Sequence, residues 1–137
     1  MNPVTVLIVE DELLIAYSLS QKLKKLGYQV IGIVSSGDEA LTICAEQTPD
    51  IVLMDIVIQG EIDGIQTATA IYQNYQIPVI YLTAYADDKT LLRAERSNSY
   101  GYLLKPFKER ELHATIKIAL QKHRKELELL KALEITQ

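Results

Sequence analysis

Two apolar runs, Val4 to Val9 and Ile51 to Met54, each stop on carboxylates: Glu10-Asp11-Glu12 after the first and Asp55 after the second. An unbroken apolar run of this length reads as a strand buried on both faces of a parallel sheet, and parallel strands all present their carboxyl ends at one edge. The two acidic clusters are therefore expected in one pocket. Two further strand candidates end in reactive groups at the same edge: Pro78-Val79-Ile80-Tyr81-Leu82 precedes Thr83-Ala84, and Tyr102-Leu103-Leu104 precedes Lys105-Pro106. The acids offer hard oxygen ligands to a divalent cation, while the hydroxyl and ammonium can hold phosphoryl oxygens, so the set suits binding both together.

Between the runs the apolar period lengthens. Ile15, Leu19, Leu23 and Leu26 fall on one face of a helix expected to start near Asp11 or Glu12 and to close at Gly27, a residue suited to a left-handed cap. A second strand is predicted over Gln29 to Val34. Ser36 with Glu39 three residues on predicts a capping-box start for a helix reaching about Gln47, and Pro49-Asp50 turns the chain into the third strand. Residues 56–64 read as a glycine-bearing loop before a third helix carrying Ile65, Ala68, Ala70 and Ile71. A fourth helix is predicted over Asp87 to Arg96, with Asp87 and Asp88 capping it, and residues 97–101 form a turn cluster. Pro106 biases Lys105 away from helical geometry, so the fifth strand ends there. Five alternating strand and helix units predict a parallel sheet covered on both faces.

The last helix is predicted from Glu109 to about Ile135, with Ile116, Leu120, Leu127 and Leu130 at near-heptad spacing interrupted by His123 and Glu134. Two readings of its second half stay open: a turn that frays into solvent, or a linker to an output domain or a homodimer seam. This divides the chain into a domain over residues 1–121 and a helical extension over 122–137. His113 and His123 are expected to be solvated.

A chain of 137 residues with 48% hydrophobic content supports one core and not two. The net charge of −4, with acids and bases interspersed, gives no basic stripe, and direct nucleic-acid binding is not expected. No apolar stretch approaches the roughly 20 residues of a membrane helix, and Met1-Asn2-Pro3 lacks a basic start, so a soluble cytoplasmic protein is expected. The single cysteine, Cys44, sits in a helical pattern and reads as a buried structural thiol in a reducing compartment.

Over residues 3 to about 121 the sequence resembles the receiver domain of two-component response regulators. Glu10-Asp11 is similar to the acidic pair of that family, Asp55 to its phosphate-accepting aspartate, Thr83-Ala84 to its hydroxyl switch, Tyr102 to its rotating aromatic and Lys105-Pro106 to its Lys-Pro. The chain departs from the family pattern after Asp55: no proline follows, and Asp63-Gly64 lies one residue later than usual. The resemblance implies a doubly wound α/β fold, a five-stranded parallel sheet of flavodoxin-like order 2-1-3-4-5, here with an extended C-terminal helix.

It also implies a switch in place of an ordinary enzyme. Mg2+ (or Mn2+) would be held by Asp11, Asp55 and the backbone carbonyl of Val57, with Glu10 acting through water, and would remove the charge repulsion that makes a carboxylate a poor nucleophile towards phosphate. Lys105 would pair first with Asp55 and then with a phosphoryl oxygen, and Thr83 would take a second oxygen. The donor would be a histidine kinase or phosphotransfer protein. The readout would lie on the surface of the fourth helix, fifth strand and fifth helix, where Tyr102 turns inwards, and would act on an output domain or a downstream protein.

Three rival readings are set apart by particular positions. A haloacid-dehalogenase-type phosphohydrolase needs a second acid two residues after its nucleophile, where this chain has Val57. A dinucleotide-binding module needs a glycine-rich turn where this chain has Glu10-Asp11-Glu12. A pseudo-receiver that binds partners without phosphorylation need show no response to metal.

Overall fold

The apolar runs become adjacent strands of one sheet in the computed structural model, which describes residues 2–84, 88–97 and 99–136, the side chains of residues 135 and 136 excepted. Five strands, β1 (Thr5–Val9), β2 (Gln29–Val34), β3 (Ile51–Asp55), β4 (Val79–Thr83) and β5 (Tyr102–Leu104), pair in parallel in the order β2-β1-β3-β4-β5. The helices α1 (Leu13–Lys25), α2 (Gly37–Gln47), α3 (Gly64–Tyr75), α4 (Asp88–Arg96) and α5 (Glu109–Thr136) connect them. The doubly wound α/β architecture and its 2-1-3-4-5 order are those expected from the sequence.

Alternation along each strand divides the core in two, because successive side chains point to opposite faces. Val6, Ile8, Leu53, Ile80 and Leu82 pack with Leu19 and Leu23 of α1 and with Leu112 and Ile116 of α5. Leu7, Val9, Val52, Met54 and Tyr81 pack on the other face with Ala40 and Cys44 of α2 and with Ile65, Ala68 and Ile71 of α3. Cys44 is fully buried, as its pattern predicts. The α1 face is shifted slightly from expectation: Ala16 and Ser20 are buried, while Ile15 and Leu26 are only half-buried.

The capping box expected at the start of α2 does not form. Ser36 does cap α2, accepting the Glu39 N–H at 3.3 Å, but the Glu39 carboxylate takes the hydroxyls of Ser35 and Ser36 and does not close a box. The full capping box is at α3, where Asp63 accepts the Gln66 N–H at 2.8 Å and Gln66 Oε1 accepts the Asp63 N–H at 2.9 Å. At α4, Asp88 opens the helix, while the expected cap Asp87 lies outside the described residues.

Helix α5 runs unbroken past residue 121, and its next turns stay attached. His123 donates from Nε2 to the Gln76 carbonyl at 2.7 Å, Glu126 accepts from the buried Tyr100 hydroxyl, and the Lys122 ammonium lies 5.3 Å from the Tyr100 ring centre. His113 is likewise engaged, through Nδ1, with the Tyr28 hydroxyl at 3.1 Å. Neither histidine is the solvated group the sequence leads one to expect, because the partner in each case comes from a distant segment. Among the described residues no helix is long and apolar enough to cross a membrane.

Candidate functional site

The site forms where the strands stop. Register places Val9 beside Met54 and Asp55 beside Leu82, so Glu10 and Asp55 emerge together, and Thr83 lies one residue further along β4. Thr83 pairs with Leu104, and the Lys105 N–H donates to the Thr83 carbonyl at 2.9 Å, which brings Lys105 to the same edge. The Lys105-Pro106 peptide is cis.

Lys105 Nζ lies between two carboxylates, 2.9 Å from Asp55 Oδ2 and 2.5 Å from Glu10 Oε1. The other oxygen of Asp55, Oδ1, accepts the Val57 N–H at 3.1 Å, and Glu10 Oε2 accepts the Glu12 N–H at 3.3 Å. Glu10, Asp55 and Thr83 are buried, Asp11 is half-buried, and Val57 and Ala84 are exposed. Glu10, Asp11 and Asp55 each offer a carboxylate oxygen, and these atoms lie within 4.8 Å of one another. Three hard oxygen donors around a pocket whose described ammonium is Lys105 fit a small divalent cation.

The electrostatics show what this crowding costs. Burial raises the Glu10 carboxyl from 4.5 to about 7; the Asp55 carboxylate adds to the rise, and Lys105 and the Glu12 N–H oppose it. Burial works against the Lys105 ammonium, but the bonds to Asp55 and Glu10 outweigh it and hold its pKa above the usual lysine value. Because the folded Glu10 pKa is raised, protonated Glu10 contributes stability that is present below pH 4.5 and lost as the pH climbs through about 7. Thermal melts of the metal-free protein are expected to lose stability across that window, and Glu10→Gln is expected to flatten the loss. An unchanged slope in the variant would assign it to other groups.

Tyr102 lies on β5 with 48% of its surface exposed, outside the carboxylate cluster, and Pro106 and Ala84 line a groove that reaches Lys105. That groove, about 510 Å³, is walled by Leu14, Ile15, Ala84, Lys105, Pro106 and Phe107. The structure thus gathers Glu10, Asp11, Asp55, Val57, Thr83 and Lys105, and sets Tyr102 apart on the adjoining face.

Sequence reasoning missed three features of the site. The Glu10–Lys105 bond joins residues 95 apart and has no local signal. The loop after Asp55 is braced by Gln59, whose N–H donates to the Ser35 carbonyl at 3.2 Å and whose backbone bridges Ser36. Asp63 also receives Arg93 of α4, Nη2 to Oδ2, at 2.8 Å.

A sheet of this order with acids, hydroxyl and lysine at its carboxyl edge is the arrangement of a receiver-type module, and comparison with known proteins agrees. The family model for the response regulator receiver domain matches residues 6–117. The transcriptional regulatory protein PdtaR of Mycobacterium tuberculosis is 34% identical over 122 residues, covering 89% of this chain and 59% of that protein, so the chain spans well under two thirds of this relative. The solved signal receiver domain of a modulated diguanylate cyclase from Desulfovibrio desulfuricans G20 is 39% identical with a TM-score of 0.87, covering 91% of this chain and 99% of that one. A CheY-like receiver domain protein from Methanospirillum hungatei JF-1 is 25% identical with a TM-score of 0.83, with 91% and 99% covered. The chain belongs to the response regulator receiver domain family.

Proposed function

We propose that this chain is a phospho-accepting switch: Asp55 takes a phosphoryl group from a histidine kinase or phosphotransfer protein in a reaction that needs Mg2+ (or Mn2+). The observation that carries the reading is Lys105 Nζ held between Asp55 and Glu10, 2.9 and 2.5 Å away, at the edge where three carboxylates converge. In the transfer, an Asp55 carboxylate oxygen attacks the phosphorus of a phosphohistidine in line. The new O–P bond forms as the P–N bond breaks, and the electron pair stays on the departing imidazole.

Glu10, Asp11, Asp55 and the Val57 carbonyl would hold the cation, which supplies charge neutralisation between nucleophile and phosphoryl oxygens. Lys105 exchanges its bond to Asp55 for one to a phosphoryl oxygen, and the buried Thr83 hydroxyl takes another. The protein catalyses only its own phosphorylation and dephosphorylation. Exposed Leu13, Leu14 and Tyr17 on α1, beside the groove that reaches Lys105, favour a protein donor, since apolar side chains at the rim of a polar site are what a partner surface covers. Output passes through α4, β5 and α5, with Tyr102 as the movable aromatic, to an attached domain or a separate protein.

Intact mass after incubation with acetyl phosphate and magnesium tests the reading. A gain of one phosphoryl group that disappears with chelator is expected. No gain in the folded protein would favour a module that binds partners without phosphorylation.

A further inference from the structure

One side-chain strap crosses from the loop after Asp55 to α4. Asp63, the last residue of that loop, uses both carboxylate oxygens: Oδ1 accepts the Gln66 N–H and Oδ2 accepts from Arg93 Nη2, each at 2.8 Å. The next residue, Gly64, donates its N–H to the Ile56 carbonyl at 2.8 Å and lies so close to Asp55 that a β-carbon would sit 2.1 Å from the Asp55 carbonyl oxygen. With Gln59 braced on Ser35 and Ser36, the loop from Asp55 to Asp63 is tied at its start, middle and end.

The helix at the other end of the strap is held differently. Of the nine residues of α4 only Ala94 is buried, and the bond between Ser97 Oγ and the Tyr81 hydroxyl, at 2.7 Å, lies just beyond its C-terminus. A helix with one buried residue has little packing to fix where it lies, so it sits at the low-stability end of the fold. The ion pair to the braced loop adds a tether at Arg93.

We infer that Arg93 and Asp63 form a coupling strap through which the phosphoacceptor loop sets the position of α4. The link to phosphorylation rests on the function proposed above; the mechanical link in the unmodified protein does not. Movement of the loop around a modified Asp55 is passed by Asp63 to Arg93, and a partner that draws Arg93 away acts back on the loop, because coupling between two sites is reciprocal.

Amide hydrogen exchange of residues 92–96 tests this in the parent, Arg93→Ala, Arg93→Lys and Asp63→Asn. Asparagine is as good a helix cap as aspartate, so Asp63→Asn removes the charge while keeping the start of α3. In the unmodified state Arg93→Ala and Asp63→Asn are expected to exchange α4 amides about two- to fivefold faster, the range spanned by a partly exposed ion pair. Arg93→Lys is expected to restore most of the protection, and amides of α1 and α5 are expected to stay as in the parent. Magnesium with beryllium trifluoride, a phosphoryl mimic, is expected to alter α4 exchange in the parent and to alter it less in Arg93→Ala. Unmodified Arg93→Ala with parental α4 exchange would overturn the strap. A parent that ignores beryllium trifluoride would instead overturn the phospho-switch, leaving the comparison of unmodified proteins to decide the strap.

Discussion

Asp55→Asn is expected to take up no phosphoryl group from acetyl phosphate and, without metal, to melt above the parent protein at pH 8. The first effect follows from loss of the nucleophile, since an amide oxygen does not attack phosphorus. The second follows from a count of charges. Glu10, Asp11 and Asp55 converge within 4.8 Å, and the ammonium of Lys105 bonds two of them. Neutralising Asp55 removes its repulsion from two carboxylates and costs one attraction to Lys105, which keeps its bond to Glu10. A net gain of about 1 kcal/mol, or roughly 4 °C, is a reasonable size for a pair of like-charge contacts partly offset by a lost ion pair. Magnesium is expected to narrow the gap by stabilising the parent more than the variant. A variant that melts below the parent at pH 8 would mean that the Lys105 bond outweighs the repulsion.

Gly64→Ala is expected to be the most damaging single methyl in the protein. As the first residue of α3, this position would otherwise gain from alanine, whose helix propensity exceeds that of glycine. The close approach decides the sign. An added β-carbon would lie 2.1 Å from the Asp55 carbonyl oxygen, 2.8 Å from Ile56 Cα and 2.9 Å from the Asp55 carbonyl carbon. All three are backbone atoms that cannot rotate away, so α3 or the end of β3 must move. A loss of about 3 kcal/mol or more is expected in denaturant melts, together with loss of labelling at Asp55, whose own backbone is displaced. Gly37→Ala provides the contrast. Its β-carbon would meet side-chain atoms only, Thr67 Oγ1 at 2.2 Å and Ile62 at 2.8 Å; Ile62 can turn aside, while the buried Thr67 hydroxyl must give up its bond to the Asp63 carbonyl, and a smaller loss of about 2 kcal/mol is expected. Equal effects at the two glycines would mean that backbone proximity is not what matters.

What could be read from the sequence was whatever a run of neighbours encodes. Ile51 to Met54 are all fully buried, and the carboxylates, hydroxyl and lysine that end the strands do gather at one edge, because parallel strands bring their ends together whatever the loops do. The capping pattern at Ser36 and Glu39 was half right: the hydroxyl caps the helix, but Ser35 offers the carboxylate a competing donor. Asp63 reads as a loop residue until Gly64 is seen to start α3, which makes it a cap. Arg93 lies 30 residues from Asp63, and Glu126 lies 26 from Tyr100; such pairs depend on how helices settle on the sheet and leave no periodic trace.

Strand β5 is three residues long and forms one edge of the sheet, while Tyr102 and Leu104 each leave 48% of their surface exposed. Its free side offers too few main-chain groups to template another strand, so this edge resists edge-to-edge pairing. The two side chains remain available for recognition. A binder of this face is therefore selected by shape and apolar contact and cannot gain hold by extending the sheet, so this face can display apolar surface without becoming a seed for aggregation.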